Sequence, residues 1–479
     1  MMTKNPIAKG IDDFLVAHGL GQNNPKAACA AFLARPRGPI RPLPTVDEAV
    51  NELNKTFAII PIGGRTFILE EGELSNRQKT ISFLGSSDFN TRMRNRKVMC
   101  GNKEFSAAFV WLEHPNRREY SRLVFKPEGA DADEYNLWQG YSFEPVKGDF
   151  SLIQKHILEV ICGGNQMLYD FFEAWAADML QNPANLPGIA VVVHGKEGIG
   201  KGIVAQMLMQ LTTPHSVQIT QGSQVFGKFN SILQARTFIF IDEGFWAGDK
   251  QAEGALKGLI TEKDIVIEYK GKEPIRLTNY ARFLIASNNH WVVPAAHGAR
   301  RYLVLDASDK YKGNRAYFNK LVKHIENGGL QAWAHHLLNL DISKIDLRTV
   351  PKTQALLEQK LESMDSVDSF IHELLEEGIN SESTWKRSVP KDKLYAAYWD
   401  TANRTGQRWL ANKIKFGKKL VEILNLTDDR PMVHKVRQYV WVFPSLEHCR
   451  KRFAQYMEAD HIEWSTIDDK PVPAKRSKF

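Results

Sequence analysis

Short, almost continuously apolar runs alternate with amphipathic stretches through the middle of the chain. The runs lie at residues 189–193, 238–241 and 281–287. Continuous apolar runs of this length indicate strands that are buried on both faces, as in a parallel sheet covered by helices. The segment 203–208, which follows the first run, is compatible with a helix. The pattern therefore predicts an α/β core built on a parallel sheet.

The flanking regions show other periods. Apolar residues recur at helical spacing in 151–182, 317–338 and 354–364. Near the N-terminus we predict a helix at 46–55 and a short strand at 66–69. The C-terminal pattern is three helices and then a strand-like run, at 367–375, 391–403, 412–424 and 438–443. Helices followed by a β-element predict a winged-helix-like α+β module.

A glycine-rich loop joins the first apolar run to its helix. It reads Gly195, Lys196, Glu197, Gly198, Ile199, Gly200, Lys201, Gly202. Glycines let several backbone N–H groups point at one anion, and the helix N-terminus adds partial positive charge. Lysine at this position reaches the β- and γ-phosphates of a nucleotide. We predict that the loop binds ATP; the alternative is a turn whose glycines serve only close packing.

The residue after the lysine departs from the usual pattern. It is normally Ser or Thr, whose hydroxyl joins the magnesium shell, but here it is Gly202. The loop therefore supplies no hydroxyl ligand for Mg²⁺.

Two further apolar runs end in polar residues. Asp242 and Glu243 close the second run, and Asn288 and Asn289 close the third. Carboxylates at the carboxyl end of a parallel strand lie beside the phosphate loop in this fold. We predict that Asp242 holds Mg²⁺, partly through water, and that Glu243 polarises the attacking water. An asparagine there orients that water or contacts the γ-phosphate, unless both are simply turn formers.

Arg300 and Arg301 precede a further apolar run, 302–306. With them the set of motifs is complete, and the chain resembles a superfamily 3 helicase of the AAA+ class. The segments 229–230, 242–249, 256–261 and 286–289 resemble, more narrowly, the helicase part of phage and plasmid primase-helicases. The resemblance spans about residues 120–345, and Gly202 is a variant associated with this branch.

The resemblance implies a homo-oligomeric ring, and the expected ring is a hexamer. Arg300 or Arg301 would reach the γ-phosphate bound by the neighbouring subunit, although an arginine before a strand is also an ordinary surface cation. Residues 265–275 read as a hairpin whose tip carries Lys270 and Lys272. The corresponding hairpin in the family lines the channel and grips DNA phosphates, with Lys257 as a weaker candidate.

The predicted domain order follows from these patterns. It is an N-terminal segment and linker (1–44), a small α+β domain (45–148), the superfamily 3 ATPase domain with its helical pair (149–345), a helical connector (346–365), the winged-helix-like domain (366–455) and a basic tail (456–479).

Basic clusters outside the core leave alternatives open. The helix at 412–424 carries Lys413, Lys415, Lys418 and Lys419 and is either a DNA recognition helix or a solvated surface. The cluster at 92–97 reads more readily as a solvated helix face than as a nucleic-acid contact. The tetrad 135–138 is aromatic, and such a group belongs more often to a core than to a base-stacking platform.

Composition narrows the class of protein. The 479 residues have a formal net charge of +8, which suits a polyanionic partner without establishing one. The cysteines, Cys29, Cys100, Cys162 and Cys449, have no disulfide or metal spacing. The chain shows no signal peptide or membrane span, so we expect a cytoplasmic protein of a bacterial host cell with no membrane partner.

The expected function is an ATP- and Mg²⁺-dependent replicative DNA helicase of a phage, prophage satellite or plasmid. It would translocate 3′→5′ on single-stranded DNA and unwind forked DNA, with a primase or host replication proteins as further partners. One alternative is an origin-binding initiator or loader that does not unwind processively. Another is the C-terminal part of a primase-helicase, since residues 9–15 resemble the end of a primase-like domain. The paired carboxylates of a primase are not recognisable in the first 150 residues.

Overall fold

The structure is a computed structural model. It describes residues 43–73, 79–243, 250–270, 273–289, 300–378, 385–406, 409–433, 436–459 and 462–466. The chain divides into two compact units, one made of 1–59 and 67–119 and the other of 60–66 and 120–479.

The first unit combines three helices with short strands, and its first two strands continue into residues 60–66 of the second unit. The helices are α1 (Val46–Asn54), α2 (Ser86–Met93) and α3 (Ala107–Glu113), and the strands are β1 (Phe57–Ile62), β2 (Arg65–Glu73), β3 (Lys79–Leu84), β4 (Lys97–Cys100) and β5 (Lys103–Ser106). Thr45 and Glu48 form a capping box that fixes the start of α1. The helices pack around Phe89 and Trp111, which are fully buried.

The basic cluster at 92–97 does not form one helix face. Helix α2 ends at Met93, a turn follows, and β4 begins at Lys97. Arg92 pairs with Glu70. The cluster is therefore solvent-exposed except at Met93, as expected, but it is not a helix face, because the chain changes from helix to strand inside it.

The second unit contains a five-stranded parallel sheet. Its strands are β8 (Ala190–His194), β9 (Ser216–Ile219), β10 (Phe238–Asp242), β13 (Arg282–Ser287) and β14 (Tyr302–Asp306). Their order is β14-β8-β13-β10-β9, and all neighbours are parallel. Each of the three apolar runs is thus a strand, and the predicted parallel α/β sheet flanked by helices is confirmed.

Helices cover this sheet and complete its core. They include α4 (Ser151–His156), α5 (Gln166–Gln181), α6 (Lys201–Leu211), α7 (Ser223–Phe226), α8 (Lys250–Thr261), α9 (Arg315–His324) and α10 (Leu330–Asn339). A π-helical turn, Ile157–Ile161, continues α4. Trp175 of α5 and Trp333 of α10 are fully buried in the same cluster as Val191 and Leu284 of the sheet.

Small β-elements accompany the sheet. Strands β6 (Arg122–Val124) and β7 (Glu134–Asn136) pair in parallel, and β11 (Asp264–Ile267) and β12 (Ile275–Thr278) form the predicted antiparallel hairpin. Tyr135 and Leu137 are buried, and Trp138 stacks on His215 with centroids 4.5 Å apart. The aromatic tetrad is therefore packed inside the protein, as expected.

The C-terminal part has its own core. Its elements are α11 (Gln354–Glu362), α12 (Ser366–Glu377), β15 (Ser388–Pro390), α13 (Lys391–Arg404), α14 (Lys413–Leu424), β16 (Thr427–Asp429), β17 (Met432–Val433), β18 (Val436–Arg437), β19 (Val440–Val442) and α15 (Leu446–Tyr456). A sheet of order β15-β19-β16 packs with α12, α13 and α14. Helix α15 was not anticipated, although Cys449 and Phe453 on it are fully buried. No helix in the described part is long and apolar enough to cross a membrane.

Candidate functional site

The glycine-rich loop lies between β8 and α6, at the carboxyl edge of the parallel sheet. Gly200 has φ +99°, and a Cβ there would lie 2.6 Å from the imidazole ring of His156. A Cβ on Gly195 would lie 2.8 Å from Ile199 Cδ1 and 3.1 Å from the carbonyl oxygen of Ala307. Glycine is therefore required at both positions, because neighbouring atoms fill the space of any side chain.

Lys201 begins α6 and turns back under the loop. Its ammonium donates to the carbonyl oxygen of Gly195 and, at 2.9 Å, to that of Lys196. Burial lowers the pKa of Lys201, and the carboxylates of Asp242, Glu197 and Glu243 oppose that shift. The loop thus holds a cation that faces the acidic residues of the neighbouring strand end.

Asp242 and Glu243 lie at the end of β10, as predicted. Asp242 Oδ2 accepts a hydrogen bond of 3.1 Å from Gln218 Nε2, which comes from β9. Glu243 has φ +58°, and its N–H donates to the carbonyl oxygen of Ala286 at 2.9 Å. A left-handed backbone at a residue other than glycine costs about 1–2 kcal/mol. The fold therefore maintains a strained backbone that leaves the Glu243 side chain exposed at this edge.

The structure distinguishes the two asparagines. Both follow β13, which lies between β8 and β10. Asn288 lines the same cavity as Lys201 and Asp242. Asn289 is exposed, is absent from the cavity lining, and donates its backbone N–H to Ser287 Oγ at 3.1 Å. Geometry therefore favours Asn288 for contact with a bound group.

A cavity of about 530 Å³ brings these residues together. It is lined by Glu197, Gly198, Ile199, Gly200, Lys201, Gly202, Ile203, Asp242, Glu243, Ala286, Ser287, Asn288 and Phe318. Its volume lies within the range of small-molecule sites, about 300–1,000 Å³. Its lining combines charged and amide groups with the apolar side chains of Ile199, Ile203 and Phe318.

Sequence reasoning missed the residues that support the loop. His156 is fully buried; its Nδ1 lies 3.1 Å from Tyr317 Oη and its Nε2 3.4 Å from the carbonyl oxygen of Gly200. Since a carbonyl only accepts, Nε2 carries the proton and Nδ1 accepts from the Tyr317 hydroxyl. Burial lowers the pKa of His156 to about 4. No local motif could reveal this contact, because its partners are far apart in the sequence.

The outer side of the loop is held by an ion pair. Lys196 Nζ lies 2.6 Å from Asp309 Oδ2, and both side chains are largely exposed. The loop thus contains two lysines with different surroundings: Lys201 faces the cavity, whereas Lys196 faces solvent and a neighbouring loop.

Arg300 and Arg301 do not reach this cavity within one chain. The Ala190 N–H donates to the carbonyl oxygen of Arg301 at 2.8 Å, which places both arginines at the amino edge of the sheet. The five residues of β8 separate that edge from the loop by about 15 Å, at about 3.3 Å per residue. Any contact with a nucleotide would have to involve another copy of the chain.

The predicted DNA hairpin has a firm base. Asn230 Nδ2 donates to the carbonyl oxygen of Val266 at 2.9 Å, and Asn230 Oδ1 accepts from the Glu268 N–H at 2.8 Å. Lys270 is exposed near the tip. Lys272 lies outside the described residues, and Lys257 is partly buried on α8.

The four lysines of α14 fall into two classes. Lys413 pairs with Asp392 at 2.8 Å, and Lys419 pairs with Asp365 at 2.5 Å and Asp368 at 2.7 Å. Lys415 and Lys418 are exposed, and within the described ranges neither forms an ion pair.

The chain is similar in sequence to a phage protein. Residues 193–301 match a family of unknown function (DUF5906). The chain is 20% identical over 245 residues to the DNA primase-polymerase of Nitratiruptor phage NrS-1, an alignment that covers 50% of this chain and 33% of that protein. The chain thus spans about a third of the length of this curated relative.

Solved structures extend the likeness. The apo structure of the NrS-1 C-terminal region matches with a TM-score of 0.58 and 14% identity, over 82% of this chain and 98% of that one. An A-form apo structure of the same region matches with a TM-score of 0.57 and 14% identity, over 84% and 100%. At this identity the likeness concerns the fold alone. The chain is therefore related to a phage primase-polymerase and has the fold of that protein's C-terminal region.

Proposed function

We propose that this chain is an ATP-driven DNA motor of phage replication, a superfamily 3 helicase of the AAA+ class. The relative is a DNA primase-polymerase, which supports DNA as the polymer and replication as the process. The likeness to that protein's C-terminal region also fits the view of this chain as the motor part of a primase-helicase.

One observation carries the proposal: the glycine loop, Lys201, Asp242, Glu243 and Asn288 border one cavity. In the proposed roles, Lys201 neutralises the β- and γ-phosphates and Glu243 accepts a proton from the attacking water. Water then adds to the γ-phosphorus as the bond to the β–γ bridging oxygen breaks, giving ADP and phosphate. Asn288, which follows the strand between β8 and β10, would orient that water.

The residues present fit Mg²⁺–ATP. Asp242 is fixed through one oxygen by Gln218, and its carboxylate faces the cavity that contains the Lys201 ammonium. Bound Mg²⁺ supplies charge neutralisation on the phosphates. Because Gly202 has no side-chain oxygen, Asp242 would hold the ion through water, and the phosphates would provide the other ligands.

Coupling to DNA is assigned to the β11–β12 hairpin. Lys270 and Lys272 would grip backbone phosphates, and Asn230 would transmit movement by holding β11 from outside the hairpin. Because Arg300 and Arg301 lie at the amino edge, either arginine could act on the phosphates only from a neighbouring subunit, as in the proposed ring.

The two lysines of the loop provide the test. We expect Lys201→Ala to abolish ATP turnover, by about 10³-fold or more, because the charge on the transferring phosphoryl group loses its counter-ion. Lys196→Ala is the matched control, since its ammonium pairs with Asp309 outside the cavity and turnover should stay within about threefold. Malachite-green phosphate release on the full chain with Mg²⁺ measures both.

Retained hydrolysis in Lys201→Ala would remove the site assignment. Hydrolysis by the unaltered protein with no strand displacement on a forked substrate would instead favour the initiator or loader. Phosphate release therefore tests the ATPase site, and strand displacement separately tests the helicase activity.

A further inference from the structure

Trp409 presents its ring to solvent from a fixed backbone. Its side chain is 80% exposed, more than that of any other large apolar residue in the described part of the chain. Ser366 Oγ donates to the Trp409 carbonyl oxygen at 3.0 Å, and the Ala411 N–H donates to Tyr398 Oη at 2.7 Å. Ser366 and Tyr398 are buried, and their hydroxyl oxygens lie 2.8 Å apart. The fold thus immobilises the backbone on the C-terminal side of the ring while leaving the ring uncovered.

Helix α14 begins four residues after this ring and exposes a mixed face. Ile414 is 69% exposed, and Lys415, Lys418 and Val421 are also exposed. These positions share one side of the helix, because residues three and four apart are neighbours on its surface. Phe416, Leu420 and Ile423 are buried on the opposite side. Glu422, which is exposed one turn after Lys418, follows the two lysines on this face.

The ion pairs of α14 define which charges are available. Lys419 is only 22% exposed and bridges Asp365 and Asp368, so it fastens α14 to the start of α12. Lys413 is directed to Asp392. Lys415 and Lys418 have no carboxylate within ion-pair distance in the described ranges. These two ammonium groups on α14 and an indole ring four residues before the helix are therefore exposed to solvent.

We propose that Trp409, Ile414, Lys415 and Lys418, named here the Trp409 surface, bind single-stranded nucleic acid. A base stacks on the indole, and the flanking phosphates contact Lys415 and Lys418. Base–aromatic stacking requires an accessible base face, which a strand with unstacked bases offers and a duplex interior does not. The proposal rests on the proposed function only for the identity of the polymer as DNA.

The chemistry of the Trp409 surface argues against a protein partner. Lysines are depleted in the cores of protein interfaces, because an unpaired ammonium loses its hydration there. Phosphates compensate the same charge and release counter-ions on binding. The formal net charge of +8 favours the same partner.

Fluorescence anisotropy with a labelled oligothymidylate of roughly 20 nucleotides, longer than the site of one binding fold, tests the proposal on the full chain. Neither ATP nor any other nucleoside triphosphate is added, so the result does not depend on the ATP site. We expect Trp409→Ala and Trp409→Leu each to weaken binding about tenfold, and Trp409→Phe to retain most of it, because the ring face is what the base requires. The affinity for a labelled duplex of the same length should be the same in these variants and in the unaltered protein.

Charge removal gives an independent readout. Lys415→Ala and Lys418→Ala should each reduce the magnitude of the negative slope of log affinity against log salt by about 0.7, the contribution of one phosphate contact on a single strand. Lys413→Ala removes the same charge from the same helix and should leave the slope unchanged.

Two results would overturn the proposal. Full binding by Trp409→Leu with loss in Trp409→Ala would show an apolar contact without stacking. Unchanged oligonucleotide affinity in every Trp409 variant, with a changed molar mass in light scattering, would assign the surface to contact between copies of this chain.

Discussion

The two edges of the five-stranded sheet each carry a group of charged side chains, one group buried and the other bordering a cavity. At the amino edge, Arg282 is 0% exposed, and its Nη2 donates to Asp178 Oδ2 at 2.7 Å and to the carbonyl oxygen of Asn182 at 3.0 Å. At the carboxyl edge, Lys201, Asp242 and Glu243 border an open cavity. The Arg282 and Asp178 charges at the first edge are buried and paired within the fold, whereas those of Lys201, Asp242 and Glu243 at the second remain available to a bound group.

One sheet thus carries charged residues that stabilise the fold and charged residues that are available to a ligand. A buried ion pair is costly to break, because the partner left behind is an uncompensated charge in a medium of low polarity. Neutralising a carboxylate that borders an open cavity leaves no buried charge without a partner, so the free energy of unfolding should change little. The two edges should therefore respond differently to the same kind of substitution.

The largest expected effect is at the amino edge. Arg282→Met leaves Asp178 buried without its cation, so we expect the free energy of unfolding to fall by about 3–5 kcal/mol. Urea unfolding followed by tryptophan fluorescence measures the loss. The double variant Arg282→Met with Asp178→Leu should recover most of it, since no charge is then stranded. Equal instability in both variants would contradict this account of the edge.

The next effect is at the carboxyl edge. Glu243→Gln removes the proposed base while keeping its size, so ATP turnover should fall about 10²-fold or more, equivalent to about 3 kcal/mol of barrier. Nucleotide affinity and the melting temperature should stay close to those of the unaltered protein. Steady-state turnover, nucleotide titration and thermal melting separate these quantities. A large drop in melting temperature would show that the two edges are not as different as proposed.

The smallest effect concerns His156, a buried titratable group at the carboxyl edge. Its pKa is lowered to about 4 in the folded protein, below the unfolded value of 6.5, because burial disfavours the imidazolium. Between pH 6.5 and 4 the unfolded chain binds the extra proton, so this group's contribution to stability is complete above pH 6.5 and is lost as the pH falls. His156→Gln keeps an amide donor for Gly200 and cannot titrate.

The stability advantage of the unaltered protein over His156→Gln should therefore shrink by about 2 kcal/mol between pH 6.5 and 5. Parallel urea titrations at these two pH values test it. A constant difference would mean that the imidazole is not kept neutral beneath the loop. Since His156 supports Gly200, the nucleotide affinity of the variant at pH 7 should also be weaker.

Much of the core could be predicted from the sequence. Continuous apolar runs locate β8, β10 and β13, because strands covered on both faces have no polar side. The loop at 195–202 could be found because its function depends on backbone N–H groups and glycine, which are local properties. The hairpin of β11 and β12 was equally local. The predicted domain boundaries, the ring and the individual DNA contacts stay predictions.

Other features were inaccessible for physical reasons. Helix α15 follows the predicted C-terminal strand, and its mean composition is too polar to stand out, yet Cys449 and Phe453 fill the core. Asn288 and Asn289 are adjacent and chemically identical, so only the turn after β13 separates the one at the cavity from the one beside it. The lysines of α14 look alike in sequence, but distant acids such as Asp392 and Asp365 engage two of them.

The parallel sheet and the residue types at its carboxyl edge can be read from short segments of the chain, since burial pattern and backbone flexibility are local properties. Which charged side chains remain free depends on the folded arrangement. It placed His156 under Gly200 and Gln218 beside Asp242, and it set Arg301 at the far edge from the cavity. Whether a charged group is available depends on neighbours that chain folding brings from distant positions, and no local pattern encodes them.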